Sequence, residues 1–213
     1  MTTQSEMPLV ALGATRLLPL VTIERVEDAA PLAQTLVDAG LPMFEVALRT
    51  PAAPRAIAEI RKRVPSASPV AGNVLTPHDL ALAMRAGVTL AVSPVANESL
   101  LDAAAASGMA FIPGVATPSE LLAVSRKGFH VVKFFPAMAF GGPEALRAMH
   151  APFPHVRFLP TGGTGEDDLD QWFSLPNVVA VGGAWLAPIE EIRARDWDKI
   201  GRRAAAAVAR LPA

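Results

Sequence analysis

The chain has 213 residues, of which 51% are hydrophobic and 18% are charged, and its formal net charge is −1. This balance gives no electrostatic reason to expect nucleic acid or an anionic membrane as a partner, and no apolar run approaches the ~18 residues of a membrane span. The absence of cysteine excludes disulfides, thiolate nucleophiles and cysteine metal sites. Residues 1–8 are polar and lack the order of a signal peptide, so a soluble cytoplasmic enzyme is expected.

Short β-branched or aromatic runs alternate with amphipathic stretches, a pattern typical of βα units. The predicted strands are 18–24, 43–49, 70–75, 89–94, 110–115, 131–136, 156–161 and 178–182. The predicted helices are 27–39, 52–63, 77–86, 98–107, 118–127, 143–149, 166–173 and 196–210. Thr76-Pro77 and Thr117-Pro118 each place a capping residue before a proline at the first helical position.

Eight strands and eight helices in this order predict an α/β protein with a parallel, eight-stranded (β/α)8 TIM barrel. We expect a single domain over residues 1–213, with residues 1–16 as an N-terminal arm or helix. An open doubly wound sheet is the alternative. That fold needs a glycine-rich turn after its first strand, and residues 21–25 lack one.

A single lysine, Lys133, lies in the run 130–136, whose β-branched and aromatic residues predict a buried strand. Burying an unpaired ammonium is costly, and a neutral amine in an apolar pocket is the group that attacks a ketone carbonyl. Lys133 is therefore a candidate Schiff-base lysine. The alternative is a lysine at a strand end whose charge reaches solvent.

Alternation in the second predicted strand puts Glu45, Ala47 and Arg49 on one face, and the apolar Phe44, Val46 and Leu48 on the other. Because the apolar face belongs against the helices, Glu45 and Arg49 are expected to face the barrel interior. There Glu45 suits general acid/base chemistry, and Arg49 suits a substrate carboxylate. The same alternation directs Lys133 inward, toward Glu45. A purely structural Glu–Arg ion pair is the alternative.

Two glycine pairs end the last two predicted strands, Gly162-Gly163 and Gly182-Gly183. Paired glycines let backbone N–H groups approach an anion, and this is the usual phosphate position of a barrel. The alternative is that they only permit tight turns. The four histidines show no ligand spacing, which counts against a metal-dependent aldolase or epimerase.

Four motifs in chain order resemble those of the 2-keto-3-deoxy-6-phosphogluconate (KDPG) and 4-hydroxy-2-oxoglutarate (KHG) aldolase family of class I aldolases. Residues 45–50 resemble E-V-T-L-R-T, 133–137 match K-F-F-P-A, 158–163 resemble F-C-P-T-G-G and 182–186 resemble G-G-S-W-L. The resemblance covers about residues 17–190. It implies that Lys133 forms the Schiff base and that Glu45 is the general acid/base. It also implies that the substrate is bound by Arg49, Asn73, Pro94, Phe135 and Thr161, and its phosphate by Gly162, Gly163, Gly182, Gly183 and Ala184.

The chain departs from the family pattern at four positions around this presumed site. Asn73 replaces a threonine that helps to bind the pyruvyl carboxylate, Val95 replaces a glycine, Met138 replaces a glutamate and Ala184 replaces a serine. The catalytic pair is intact, whereas the binding residues have changed. Schiff-base chemistry is therefore a firmer expectation than the identity of the substrate.

The resemblance implies a lyase that cleaves KDPG to pyruvate and D-glyceraldehyde 3-phosphate. It implies no metal or organic cofactor and a homotrimer, while the charge balance predicts no nucleic acid or membrane partner. Two alternatives stay open. One is a related pyruvate aldolase for the galactonate epimer or for 4-hydroxy-2-oxoglutarate, and the other is a non-catalytic barrel that only binds a sugar phosphate.

Overall fold

The computed structural model of this protein describes residues 7–211. The α-helices are α1 (Met7–Thr15), α2 (Ala29–Asp38), α3 (Ala53–Arg63), α4 (Pro77–Ala86), α5 (Glu98–Ser107), α6 (Pro118–Arg126), α7 (Gly142–His150), α8 (Leu169–Phe173), α9 (Ile189–Ala194) and α10 (Trp197–Ala209). The strands are β1 (Leu17–Val21), β2 (Met43–Ala47), β3 (Ser68–Gly72), β4 (Leu90–Val92), β5 (Ala110–Ile112), β6 (Gly114–Val115), β7 (Val131–Phe134), β8 (Arg157–Pro160) and β9 (Val181–Gly183).

All paired strands are parallel and fall into two sheets. The larger sheet has the order β5-β4-β3-β2-β1-β9, and the smaller has the order β6-β7-β8. Only Pro113 separates β5 from β6, and isolated parallel bridges join Phe158 to Val178 and Thr161 to Gly182. The predicted α/β class and the parallel strands are therefore confirmed.

The core lies on both faces of these strands. On the outer face, Phe44 and Val46 of β2 are buried in a large cluster with the helices. On the inner face, Met43 of the same strand is buried in a smaller cluster that Leu12 of α1 completes. The inner cluster consists of Leu12, Leu18, Met43, Val70, Leu90, Val92, Ala110, Ile112, Leu159 and Ala180. The alternation predicted for the second strand thus separates the helix-facing side chains from the inward ones.

Several predicted element boundaries are wrong. The second predicted strand ends at Ala47 because the N–H of Arg49 donates to the Ala47 carbonyl in a turn. The third ends at Gly72 because Asn73 has a left-handed backbone with φ of 55°. The fifth is interrupted at Pro113, which has no N–H to donate.

The predicted helix ends agree with the structure better than the predicted strand ends do. Thr76 and Thr117 both form the predicted N-terminal caps, and each accepts a hydrogen bond from the third helical residue. The helix predicted over 166–173 begins as a 3-10 turn, and the short helix α9 was not predicted. Residues 1–6 of the predicted N-terminal arm lie outside the described residues, and α1 covers most of the remainder.

None of the helices within residues 7–211 combines the length and the apolar character that a membrane crossing requires.

Glu191 joins α9 to α10 through two cations. Arg203 Nη2 donates to Glu191 Oε1 over 2.6 Å, and Lys199 Nζ lies 3.0 Å from the same oxygen. The hydrogen bond from Arg203 is the main cause that lowers the pKa of Glu191 to about 2, with Lys199 adding to it against the effect of desolvation. Because the folded pKa lies below the ordinary value of 4.5, this carboxylate stabilises the fold fully above pH 4.5, and its contribution is lost as the pH falls toward 2.

We expect Glu191→Gln to lower the free energy of unfolding at pH 7 by about 1 to 3 kcal/mol, because it removes the charge that Arg203 and Lys199 stabilise. Urea denaturation at pH 7, 5, 4 and 3 measures the difference in the free energy of unfolding between wild type and the variant. This difference should decrease only below pH 4.5. Glu144→Gln is the control, since the Glu144–Arg147 pair is mostly exposed. A difference that stays constant from pH 7 to pH 3 would contradict this account.

Candidate active site

Lys133 and Glu45 lie together on the inner face of the strands, as the alternation in β2 and β7 predicts. Lys133 Nζ lies 3.0 Å from Glu45 Oε1 and 3.1 Å from Oε2. Lys133 is 3% exposed and Glu45 is 1% exposed. The phenyl ring of Phe135, with its centroid 5.8 Å from Nζ, provides an apolar neighbour. A proton that passes from Nζ to the carboxylate would leave a neutral amine, which is a nucleophile, beside a carboxylic acid, which is a proton donor.

Because Gly72 has no side chain, the Glu45 side chain can occupy the space next to its Cα. Gly72 is the last residue of β3 and pairs in register with Ala47 of β2. A Cβ at position 72 would overlap with Cγ, Cδ and Oε1 of Glu45. Sequence reasoning missed this glycine, although its place at the end of an apolar strand was a signal for a close approach.

Gly72→Ala should therefore move the Glu45 carboxylate away from Lys133 without removing any reactive group. We expect kcat of the reaction proposed below to fall about 100-fold, the usual cost of misplacing a catalytic group by about 1 Å. The matched control is Gly201→Ala, in α10, where the added methyl group would meet only Thr35 Cγ2 at 3.4 Å. If steady-state kinetics gave the wild-type kcat for Gly72→Ala, the close approach of Glu45 to Gly72 would be unimportant for catalysis.

Arg49 and Asn73 form the edge of the site. The prediction that Arg49 lies on an inward strand position is wrong, because it is an exposed residue in the turn after β2. Its Nε nevertheless donates to Asn73 Oδ1 over 3.5 Å, and its terminal nitrogens make no hydrogen bond within residues 7–211, so they can hold a carboxylate. The left-handed backbone at residue 73 suits asparagine better than a β-branched threonine.

Pro94 packs against β6, the neighbour of the strand that carries Lys133, and Phe135 directly follows that strand. The backbone of Pro94 packs so closely on Gly114 that a Cβ at position 114 would overlap with it, and Gly114 pairs in register with Lys133. Phe135 is partly exposed and follows β7, where its N–H donates to the Val115 carbonyl over 3.1 Å. Gly114 is a second site glycine that sequence reasoning missed.

The ends of β8 and β9 bring the predicted phosphate-binding residues together. Thr161 is buried and is bridged to Gly182. Gly162 and Gly163 have φ angles of 97° and 78°, a backbone conformation that favours glycine. Thr164, another residue that sequence reasoning missed, donates through Oγ1 to the Gly182 carbonyl over 2.7 Å and so ties this loop to β9.

This glycine-rich loop lies next to the Lys133 centre. A Cβ at Gly162 would lie 3.1 Å from two ring carbons of Phe135, and the centroid of the same ring lies 5.8 Å from Lys133 Nζ. Gly183 is buried at the end of β9, and Ala184 follows it as an exposed residue. The arrangement therefore offers an amine and a carboxylate in the interior, the Arg49 guanidinium at the edge and the backbone amides of the glycine loop nearby.

Within residues 7–211, no group of three or more His, Asp or Glu side chains is placed to hold a metal ion.

Comparison with known proteins identifies the family. Residues 10–203 match the family profile described as KDPG and KHG aldolase. The chain belongs to the KDPG and KHG aldolase family. The KHG/KDPG aldolase of Escherichia coli strain K12 is 42% identical over 190 residues, which cover 89% of each chain. Membership places the protein among the lyases.

Solved structures of KDPG aldolases share this fold. The enzyme from Legionella pneumophila, with pyruvate captured as a covalent carbinolamine intermediate, superposes with a TM-score of 0.91 at 38% identity and covers 94% of this chain and 97% of its own. The enzyme from Zymomonas mobilis ZM4 with 3-phosphoglycerate has a TM-score of 0.91 at 36% identity, with 98% of both chains covered.

Proposed function

We propose that this protein is a class I aldolase that cleaves KDPG to pyruvate and D-glyceraldehyde 3-phosphate. The buried Lys133–Glu45 pair, with 3.0 Å between Nζ and Oε1, carries the proposal. It supplies the nucleophilic amine and the proton carrier that Schiff-base cleavage needs, at the two positions that the motif resemblance implies.

The reaction begins with the attack of the neutral Nζ on the C2 ketone. Glu45, which took the proton from Nζ, returns it to the carbinolamine hydroxyl, and water leaves to give a protonated imine. Glu45 then accepts the proton of the C4 hydroxyl while the C3–C4 bond breaks, and the electron pair of that bond moves toward the imine nitrogen. Glyceraldehyde 3-phosphate departs, the enamine is protonated at C3, and hydrolysis releases pyruvate and the lysine.

The remaining site residues are proposed to bind the substrate. Arg49 and Asn73 hold the carboxylate of the pyruvyl group, Pro94 and Phe135 form the apolar walls beside the imine, and Thr161 contacts the sugar-acid hydroxyls. The backbone N–H groups at the ends of β8 and β9 hold the phosphate, with contributions from Gly162, Gly163, Gly182, Gly183 and Ala184.

We also propose that the strands form an eight-stranded (β/α)8 barrel in a single domain over residues 1–213. Two observations support this. The single residue Pro113 separates β5 from β6, so that both belong to one interrupted strand, and the Thr161–Gly182 bridge joins β8 to β9. A homotrimer and a cytoplasmic location stay predictions from the sequence and its resemblance.

Borohydride trapping tests the function. Wild-type protein is incubated with pyruvate and sodium borohydride, and the adduct is located by peptide mapping, while a parallel reaction with KDPG is assayed for released pyruvate. We expect a pyruvate-sized adduct on the Lys133 peptide and one pyruvate per KDPG consumed. Binding of KDPG with neither adduct nor turnover would instead indicate a barrel that only binds sugar phosphates.

The exposed Ala184 favours 4-hydroxy-2-oxoglutarate as a second candidate substrate. Alanine offers no side-chain hydroxyl to bind a phosphate, and 4-hydroxy-2-oxoglutarate has no phosphate group.

Ala184→Ser should add a donor at the phosphate position. We expect the KM for KDPG to fall about tenfold, as one hydrogen bond to a charged group predicts, with little change in the KM for 4-hydroxy-2-oxoglutarate. Ala106→Ser, at an exposed position of α5, is the control. An equal change for both substrates would show that residue 184 does not face the phosphate.

A further inference from the structure

Methionine provides the oxidisable sulfur in this chain, which contains seven methionines and no cysteine. Met43 and Met149 are buried, while Met7, Met84 and Met138 are exposed. Met7 belongs to α1 and Met84 to α4. Among the exposed methionines within residues 7–211, Met138 alone lies in a loop that follows a strand of the candidate site, in the 3-10 turn Met138–Phe140.

Met138 is in contact with the proposed phosphate loop. Its backbone N–H donates to the Gly162 carbonyl over 3.0 Å. A Cβ at Gly163 would lie only 2.8 Å from Cβ and 3.1 Å from Cγ of Met138, so the two residues already touch. Met138 Sδ lies 3.4 Å from the position that a Cβ at Gly142 would take, at the start of α7. The residue is 41% exposed, so a small oxidant has access to it.

We propose that Met138 is an oxidation site whose conversion to methionine sulfoxide weakens binding of the phosphate end of the substrate. The inference rests on the proposed function. The oxidant is a hydroperoxide: its O–O bond breaks, one oxygen forms a bond to Sδ, and the other leaves as water or an alcohol. The sulfur loses two electrons and the peroxide gains them.

The sulfoxide oxygen acts on the loop in two ways. It carries partial negative charge, so it repels a phosphate held by the neighbouring loop. It also enlarges the side chain at Sδ, which lies toward Gly142, so the part of the side chain that already touches Gly163 is pressed against the loop. Lys133 and Glu45 are buried beneath the loops, so pyruvate should still form its adduct after oxidation.

The test compares wild type, Met138→Leu and Met84→Leu before and after treatment with hydrogen peroxide. Met84 is the matched control because it is 44% exposed and lies on α4, outside the candidate site. Peptide mapping measures oxidation at each methionine. Titration calorimetry with 3-phosphoglycerate measures binding of a phosphate-bearing probe, and steady-state kinetics gives the KM for KDPG.

We expect peroxide to raise the Kd for 3-phosphoglycerate and the KM for KDPG about tenfold in wild type and Met84→Leu, the size of one lost hydrogen bond to a charged group. Met138→Leu should show treated-to-untreated ratios near 1, and methionine sulfoxide reductase should reverse the effect in wild type.

The inference is overturned if oxidised Met138 leaves both constants unchanged, if Met138→Leu responds like wild type, or if Met84 is oxidised while Met138 is not. Failure of the proposed function looks different: untreated wild type would then form no pyruvate adduct and release no pyruvate from KDPG. In that case the titration with 3-phosphoglycerate still measures the effect of Met138 oxidation on binding at the phosphate loop.

Discussion

Lys133→Met is expected to abolish KDPG cleavage, with kcat/KM below about 10⁻⁴ of the wild-type value, because the amine that forms the covalent intermediate is gone. The other lysines cannot replace it. Lys127, at the end of α6, is paired with Asp102 and Glu98, Lys199 of α10 is paired with Glu191 of α9, and Lys62 lies in the last turn of α3. Borohydride and pyruvate should accordingly give no adduct in this variant.

The loss must be separated from unfolding, because Lys133→Met leaves the Glu45 carboxylate buried without its partner. Removing one member of a buried ion pair costs about 3 to 5 kcal/mol of stability. The double variant Lys133→Met/Glu45→Gln carries no buried charge at this position, and we expect urea denaturation to show most of the lost stability restored. Activity should stay absent in both variants. Near-normal turnover in either would exclude the Schiff-base mechanism.

The interior of the site was predictable because it depends on strand alternation. Glu45 lies between two residues whose side chains pack against helices, and Lys133 lies in an equally apolar strand, so the position of both followed from a period of two. The inward direction of a side chain in the middle of a strand is a local property. It does not depend on where the strand ends.

The edge of the site was predicted less well because it is formed by loops after strand ends. Alternation extended through Arg49 places it on an inward strand position, but a turn hydrogen bond to Ala47 takes it out of β2. The close approach of Gly72 to Glu45 depends on the neighbouring strand, about 25 residues away in sequence. A glycine at the end of an apolar strand indicates a close approach but does not identify the residue that approaches it.

The glycine pairs fall between these cases. Their location at strand ends was visible, and so was their suitability for an anion. The hydrogen bond by which the Thr164 hydroxyl fixes the loop against β9 could not be predicted, because a threonine among glycines does not indicate which residue it contacts. The short helix α9 was not predicted because its six residues are too few to show a helical period.

Glu45→Gln is expected to lower kcat for KDPG cleavage by about 10² to 10⁴, the usual contribution of a positioned general acid/base. Glutamine keeps the shape of the side chain, and its amide oxygen can still accept a hydrogen bond from Lys133 Nζ. It cannot take up the proton of the C4 hydroxyl or return one to the carbinolamine. The pyruvate adduct should therefore still form with borohydride, but more slowly than in wild type.

This variant distinguishes a proton carrier from a structural ion pair. If Glu45 only neutralised Lys133, Glu45→Gln would change the free energy of unfolding and leave kcat nearly unchanged. Glu45→Ala gives the complementary measurement, because it opens space for a small carboxylate next to Nζ. Added formate should raise the kcat of Glu45→Ala in proportion to its concentration and should not affect Glu45→Gln, whose amide still fills that space. Since formate restores a carboxylate without restoring the covalent link to β2, such rescue would assign the lost rate to proton transfer rather than to the packing of the strand.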